Sequence, residues 1–251
     1  MNPREYDTLY RIEDSYWWYR GMRRIARRFV PELFRFAAGA RLLDVGCGTG
    51  ANLAHMREAS SGSARMVGLD LSLAALRLCR RRSLTLLVCG SAEALPFGEE
   101  VFEAVTCHDL LYTVPRDEAA LGESFRVAKK GALLYVTAAA FDWLKGEQDI
   151  ATHGLRRYTE KEMRNKVRRA GFNVEGASYA NALLVGPVFL VRRIRALLAP
   201  TSKKEEAVSE FHFAPPAINS LLTAILGLEA RLAAHVRLPV GSTLLMRARK
   251  P

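Results

Sequence analysis

Short apolar runs recur along this chain, and between them lie longer stretches whose apolar residues return every three or four positions. Runs of the first kind read as buried strands, and stretches of the second as amphipathic helices. "ARLLDV", "ARMVGLD", "LTLLVCG", "VFEAVTCHD", "ALLYVTAAA", "FNVEGASYA" and "STLLMRARK" are the strand candidates. "ANLAHMREA", "SLAALRLCRRR", "DEAALGESFRVAKK" and "TEKEMRNKVRRA" are helices between them. Gly131 reads as the C-terminal cap of the third helix, Thr159 as the N-cap of the fourth, and Gly171 as its end. Two more apolar helical stretches, about 182–199 and 215–235, precede the last strand. The polar linker "APTSKKEEAVSE" separates them. Strands alternating with crossover helices predict an α/β fold with a doubly wound, mainly parallel sheet of seven strands. Residues 1–35 are expected to form an N-terminal helical cap. Residues 36–251 are expected to form one domain, with a helical insertion at about 181–240.

In such sheets a ligand lies outside the carboxyl ends of the strands, where strand order reverses. The loop after the first strand should sit there, and it reads "LLDVGCGTGANL". A strand, a glycine-rich turn and a helix make a backbone cradle that lets a ligand approach closely, with amides pointing outward. Gly46, Gly48 and Ala51 satisfy the G-x-G-x-x-G/A pattern of dinucleotide sites, and Asp70 ends the second strand where a ribose-binding acid belongs. Asp44 argues against a dinucleotide, because a carboxylate beside a pyrophosphate gives it no favourable partner. A ligand with an ammonium and a sulfonium, S-adenosylmethionine, suits that carboxylate better.

Size and composition narrow the picture. The chain has 251 residues and is 49% hydrophobic, enough for one substantial core. No run of about 18 apolar residues suggests a membrane span, and "MNPREYDTLYRIED" lacks an apolar signal core. A cytoplasmic location is expected, with a membrane-peripheral one as the alternative. Cys47, Cys79, Cys89 and Cys107 show no CxxC spacing, so buried reduced thiols are expected and no metal site. The net charge of +11 comes mostly from arginine and admits nucleic acid, an anionic membrane or an acidic substrate. No nucleic-acid motif accompanies the arginines, which weighs against the first.

Several ordered motifs resemble one family. "LLDVGCGTG" resembles the first motif of class I S-adenosylmethionine-dependent methyltransferases, and "VGLDLS" their ribose-binding acid. "GSAEALPF" resembles their segment at the adenine. "FEAVTCHDLLYTVP" resembles their fourth strand and the segment after it, and "FRVAKKGALLYVT" the entry to their fifth. The matches run in the family's order over about residues 40–140. "YWWYRGMRR" and "HGLRRY" resemble elements of a bacterial small-molecule subgroup. The chain departs from the family at Ser91, where an acid is usual, at Tyr112-Thr113 and at Lys130-Gly131-Ala132.

The resemblance implies a Rossmann-like methyltransferase sheet and S-adenosylmethionine as cofactor. Asp44, Gly46, Cys47, Gly48 and Gly50 would hold its methionyl part and Asp70 its ribose. Leu71, Ser91, Ala92 and Glu93 would border the adenine, and Arg20 would meet the carboxylate from an N-terminal lid. His108, Asp109 and Tyr112 should border the transferable methyl, and His153, Arg157 and Tyr158 could close over it. Of these, His108, Tyr112, His153 and Tyr158 are the catalytic or substrate-orienting candidates, since methyl transfer needs a base only where the acceptor must lose a proton. The segment around 187–199 opens with Pro187 and carries Arg192, Arg193 and Arg195. It is expected to wall an acceptor pocket under the cover of 215–235, with an interfacial membrane segment as the competing reading. The expected activity is O-, N- or C-methylation of a small or lipid-like acceptor, in a monomer or homodimer. A tRNA methyltransferase and a non-catalytic cofactor-binding or peripheral membrane protein are the alternatives.

Overall fold

The computed structural model of the protein describes residues 3–60, 64–187, 189–190, 215–233 and 236–251. Helices α1 (Pro3–Ile12) and α2 (Trp17–Phe29) open the chain. Then come β1 (Arg41–Val45), α3 (Ala51–Ala59), β2 (Arg65–Asp70), α4 (Leu73–Arg81) and β3 (Leu87–Cys89). They are followed by β4 (Phe102–His108), α5 (Asp117–Val127), β5 (Ala128–Ala139), α6 (Glu147–Ala151), α7 (Glu160–Arg169) and β6 (Asn173–Ala180). Helix α8 (Pro216–Leu232) and strand β7 (Thr243–Arg249) end it.

The strands form the expected seven-stranded sheet, in the order β3-β2-β1-β4-β5-β7-β6. All pairings are parallel except those of β7, which runs antiparallel between β5 and β6. Order reverses between β1 and β4, so the glycine loop after β1 stands at the crevice that parallel topology creates. Both faces are covered. Leu43, Val105, Leu134 and Met246 belong to one core, and Leu42, Leu133, Tyr135 and Leu245 to the other. Alternate residues of one strand thus feed opposite cores, as the pleat requires.

Helix α5 ends at Val127, before the expected cap. Gly131 instead lies inside β5, with φ +76°, where the register against β4 slips between Phe102 and Ala104. Its amide donates to the Lys250 carbonyl at 3.0 Å, and Lys250 Nζ donates to the carbonyls of Phe125 and Ala128 at 3.0 and 2.8 Å. The chain's last strand therefore captures the groups that a longer α5 would have used. The other helix signals are met locally. Thr159 and Glu162 form a capping box on α7, and Gly171 turns with φ +106° after it. Cys89 departs from expectation in being exposed, while Cys47, Cys79 and Cys107 are buried and free.

The N-terminal helices lie over the carboxyl ends of the strands. Gly21 of α2 sits where an added Cβ would come within 2.2 Å of Leu226, so only glycine lets α2 and α8 cross this closely. Asn219 fixes that crossing, accepting from Trp17 N at 2.8 Å and donating to the Ser15 carbonyl at 3.0 Å. Residues 182–187 are helical, so Pro187 does not open this helix. Buried Glu229 of α8 caps its start, accepting from Asn181 N at 2.5 Å and Leu183 N at 3.2 Å. Arg192, Arg193 and Arg195 lie outside the described residues. No described helix is long and apolar enough to cross a membrane.

Candidate functional site

A cavity of about 810 Å³ opens at the strand ends, lined from both halves of the sheet and from α1 and α2. It can be built outward from the glycine loop. Gly46, Gly48 and Gly50 all have positive φ. The amides of Gly46 and Cys47 donate to the Leu69 carbonyl at 2.7 and 2.9 Å, and that of Gly48 to Asp70 Oδ2 at 2.9 Å. The expected outward amides are therefore turned onto β2. The glycines contribute absence of bulk instead. An added Cβ on Gly48 would meet nothing within 4 Å, in a conformation that L side chains rarely adopt, while one on Gly46 would strike Leu110 at 2.6 Å.

Asp70 is the joint of this end. While Oδ2 holds the loop, Oδ1 accepts from Ser72 N at 2.9 Å, and Ser72 caps α4 through Ala75 N. Burial raises the Asp70 carboxyl pKa, against the lowering pull of these amides. Tyr6 of α1 faces it, its phenol pushed up to about 12 by burial and by the charge of Asp70. Asp44 lines the cavity deeper in and accepts from Thr106 Oγ1 at 2.7 Å. Burial pushes its pKa up to about 7. Helix α1 is clamped to the loop by Glu13, which accepts from Thr49 Oγ1 and, at 2.8 Å, from Arg82 Nη2. Cys47 turns its sulfur toward Cys79, 4.0 Å away.

Leu71, Ser91, Ala92 and Glu93 all reach the cavity wall. Ser91 Oγ accepts from Glu93 N at 3.1 Å. The Glu93 carboxylate accepts from Arg116 N at 2.8 Å and pairs with its guanidinium at 2.9 Å, so it braces the 91–95 turn. Arg20 is the clear correction: it is exposed and lies off the cavity, because α2 turns its other side inward. Arg23, which sequence reasoning passed over, lines the cavity. Its Nη2 donates to the Glu13 carbonyl at 2.7 Å, and its Nη1 is buried without a partner. Periodicity could have found it, since Arg23 follows Tyr16 and Tyr19 on one helical side.

The opposite half is formed by the ends of β4, β5, β6 and β7. His108, Tyr112 and His153 line the cavity as expected. Burial lowers the His108 pKa to about 4, so the ring is neutral at physiological pH, and its Nε2 has no partner. Its ring meets Tyr135 edge-on at 5.4 Å. The Tyr135 hydroxyl and Asn181 Oδ1 are also buried on the cavity without partners. Asp109 sits in a left-handed turn with φ +47°, its amide donating to the Thr137 carbonyl and Oγ1 at 3.0 Å each. Burial moves its pKa up to about 6.

Tyr158 is not in this site. It is buried away from the cavity, donating to the Leu111 carbonyl at 3.0 Å and to Asp117 Oδ2 at 2.6 Å. Arg157 reaches the cavity wall but is committed: it pairs with Asp149 through two bonds of 2.8 and 2.9 Å and donates to the Ala140 carbonyl at 2.9 Å. The "HGLRRY" element is thus a fastening for the loop after β5. His153, exposed and with φ +58°, lines the cavity from it beside Arg157. Among the described residues no cluster of three or more His, Cys, Asp or Glu could hold a metal ion.

Residues 43–136 match the family described as methyltransferase domain. A phthiotriol/phenolphthiotriol dimycocerosates methyltransferase of Mycobacterium ulcerans is 32% identical over 161 residues, 61% of this chain and 58% of that protein. A demethylmenaquinone methyltransferase of Renibacterium salmoninarum is 37% identical over 117 residues, 46% of this chain and 48% of that one. The chain spans about half the length of the curated relatives it matches. The crystal structure of an S-adenosylmethionine-dependent methyltransferase from Thermotoga maritima superposes with a TM-score of 0.59, covering 99% of this chain and 96% of that one at 17% identity. That likeness is one of fold.

Proposed function

We propose that this chain is a class I S-adenosylmethionine-dependent methyltransferase, supported by the methyltransferase-domain match and the shared fold, and that it transfers a methyl group from that cofactor to a small, amphiphilic acceptor. One observation carries the reading: a single cavity of about 810 Å³ has two chemically different halves. The β1–β2 half offers carboxylates at Asp44 and Asp70 beside a loop without side-chain bulk. The β4–β7 half offers unpartnered polar atoms among aromatic walls.

The residues present fit the cofactor. Asp70 has carboxylate lone pairs left for ribose hydroxyls, Asp44 suits a cation, and Gly48 leaves open space. When bound, S-adenosylmethionine supplies an already activated methyl group. The protein's share is alignment and exclusion of water. Helices α1 and α2 roof the cavity, and Tyr16, Trp17 and Tyr19 present aromatic surface to an apolar acceptor. His108, Tyr135 and Asn181 orient its polar atoms. Where the acceptor is a hydroxyl, Asp109 is the base of choice. Its pKa of about 6 leaves it ionised at neutral pH yet able to take a proton. Within this reading residues 1–35 act as the cap and 181–240 shape the acceptor side. The names of the matched relatives, a phthiotriol/phenolphthiotriol dimycocerosates methyltransferase and a demethylmenaquinone methyltransferase, support a lipid-like acceptor.

Calorimetry with S-adenosylmethionine, its demethylated product and NAD tests the cofactor, and label transfer into cell-extract lipids tests the activity. Heat with both sulfur nucleosides and none with NAD is expected. Tight NAD binding with no response to either sulfur compound would sink the proposal. The nucleic-acid alternative rests on charge alone, with no nucleic-acid motif beside it.

A further inference from the structure

Helix α8 has an outer face that its sequence should not leave in water. Ile218, Leu221, Leu228 and Leu232 are 49%, 61%, 53% and 44% exposed. Their spacing, with exposed Ala217 and Ala224 alongside, puts them on one continuous side. The opposite side holds Thr223, Leu226, Glu229 and Ala230, which are buried against the body of the protein. A helix apolar on both sides needs a second apolar neighbour.

Beside this ridge runs a groove of about 570 Å³ lined by Arg24, Arg27 and Arg28 of α2 and Arg231 of α8. None of the four forms an ion pair among the described residues. The only acid on α8, Glu229, is buried and bonded to the amides of Asn181 and Leu183. Among the described residues the surface is therefore a leucine ridge with a basic rim that no acid pairs.

We propose that this α2–α8 face docks on an anionic lipid bilayer surface. Charge complementarity selects that occupant. A second copy of the chain related by a two-fold axis would bring one arginine rim toward another. A nucleic acid would satisfy the arginines and leave the leucines in water. An anionic bilayer takes both, with leucines below the headgroups and guanidiniums among them. The placement has a consequence for the site. Met22, Arg23 and Ala26, on the inward side of the same α2, line the cavity. A protein held by this face would present its cavity roof close to the membrane, the phase in which an amphiphilic acceptor is concentrated.

The test is vesicle flotation of the purified chain with phosphatidylglycerol-containing vesicles, with pure phosphatidylcholine vesicles in parallel. Flotation with the anionic vesicles only, reduced by 0.5 M salt, is expected. Arg28→Gln with Arg231→Gln should weaken the partition about tenfold or more, and Leu221→Ser with Leu228→Ser should abolish it. All four positions are exposed, and an unchanged circular dichroism spectrum together with unchanged product-nucleoside binding shows that the variants fold. No flotation, or flotation indifferent to both double variants, overturns the proposal. So does a dimer in light scattering that the leucine variants dissolve, or salt-sensitive binding to tRNA in place of vesicles.

Discussion

Asp70 ends β2 and Asn181 follows the end of β6, in opposite halves of one sheet, and the structure uses them differently. Asp70 is bonded through both oxygens to backbone amides within two residues of it or on the neighbouring loop. Asn181 donates at 3.4 Å to Thr243, while its carbonyl oxygen meets nothing. The contrast extends to their surroundings. Around Asp70 most polar groups are spoken for, Gly46 and Cys47 by Leu69, Thr49 by Glu13 and Asp44 by Thr106, with Arg23 Nη1 the exception. Around Asn181, His108 Nε2 and the Tyr135 hydroxyl are buried and unbonded. One half is preorganised before any ligand arrives. The other holds polar atoms that burial penalises and that an acceptor's own polar groups would satisfy.

The sharpest way to break this comparison is to attack the framework where it borders the Asn181 half. Arg157→Ala leaves Asp149, a buried carboxylate, without its guanidinium, and should cost about 3 to 5 kcal/mol of stability. Urea unfolding measures it. A loss of activity without loss of stability would move Arg157 from the framework into the chemistry. Next in size, Asp70→Ala should weaken cofactor binding by about 30- to 1000-fold, roughly 2 to 4 kcal/mol, in a protein that still folds. Calorimetry with the demethylated product reads this, and an unchanged dissociation constant would reduce Asp70 to a loop fastener.

Two buried tyrosines sharpen the contrast further. Tyr158→Phe discards two hydrogen bonds and should lose about 1 to 2 kcal/mol. Tyr135→Phe discards a hydroxyl without a partner and should leave stability unchanged or raised, while lowering methyl transfer. Equal destabilisation by both would show that Tyr135 has a partner after all, such as a buried water. The smallest effect is the pH dependence of binding at Asp44. Its folded pKa is raised to about 7, so the carboxyl is neutral below that pH and charged above it. A cationic ligand favours the charged form, and affinity should therefore rise about tenfold from pH 6 to pH 8. Asp44→Asn should flatten the rise. The same shift has the opposite sign for the free protein. A raised carboxyl pKa contributes stability at low pH that is lost as pH climbs from about 4 to about 7, so Asp44→Asn should unfold less readily than the parent at pH 8. An Asp44→Asn variant no more stable than the parent at pH 8 would contradict the placement.

What the sequence determined by itself is what is local. Period-two and period-3.6 patterns gave strands and helices. Glycines at alternate positions marked a loop of left-handed residues, and the acid ending β2 stood within a few residues of the groups it binds. Such features depend on neighbours along the chain, so a motif can carry them. What only the tertiary structure decided is long-range. α2 turned Arg23 inward and Arg20 out because Gly21 lets it press on Leu226, over two hundred positions away. "HGLRRY" became a fastening because Asp149 and Asp117 wait on other elements. Gly131 fell inside a strand because Lys250, just after β7, captured the carbonyls of Phe125 and Ala128. The cavity half around Asn181 is built from the ends of four strands and the underside of a helix crossing them. No spacing along the chain encodes that meeting, because each side chain there is chosen against partners that only folding brings near.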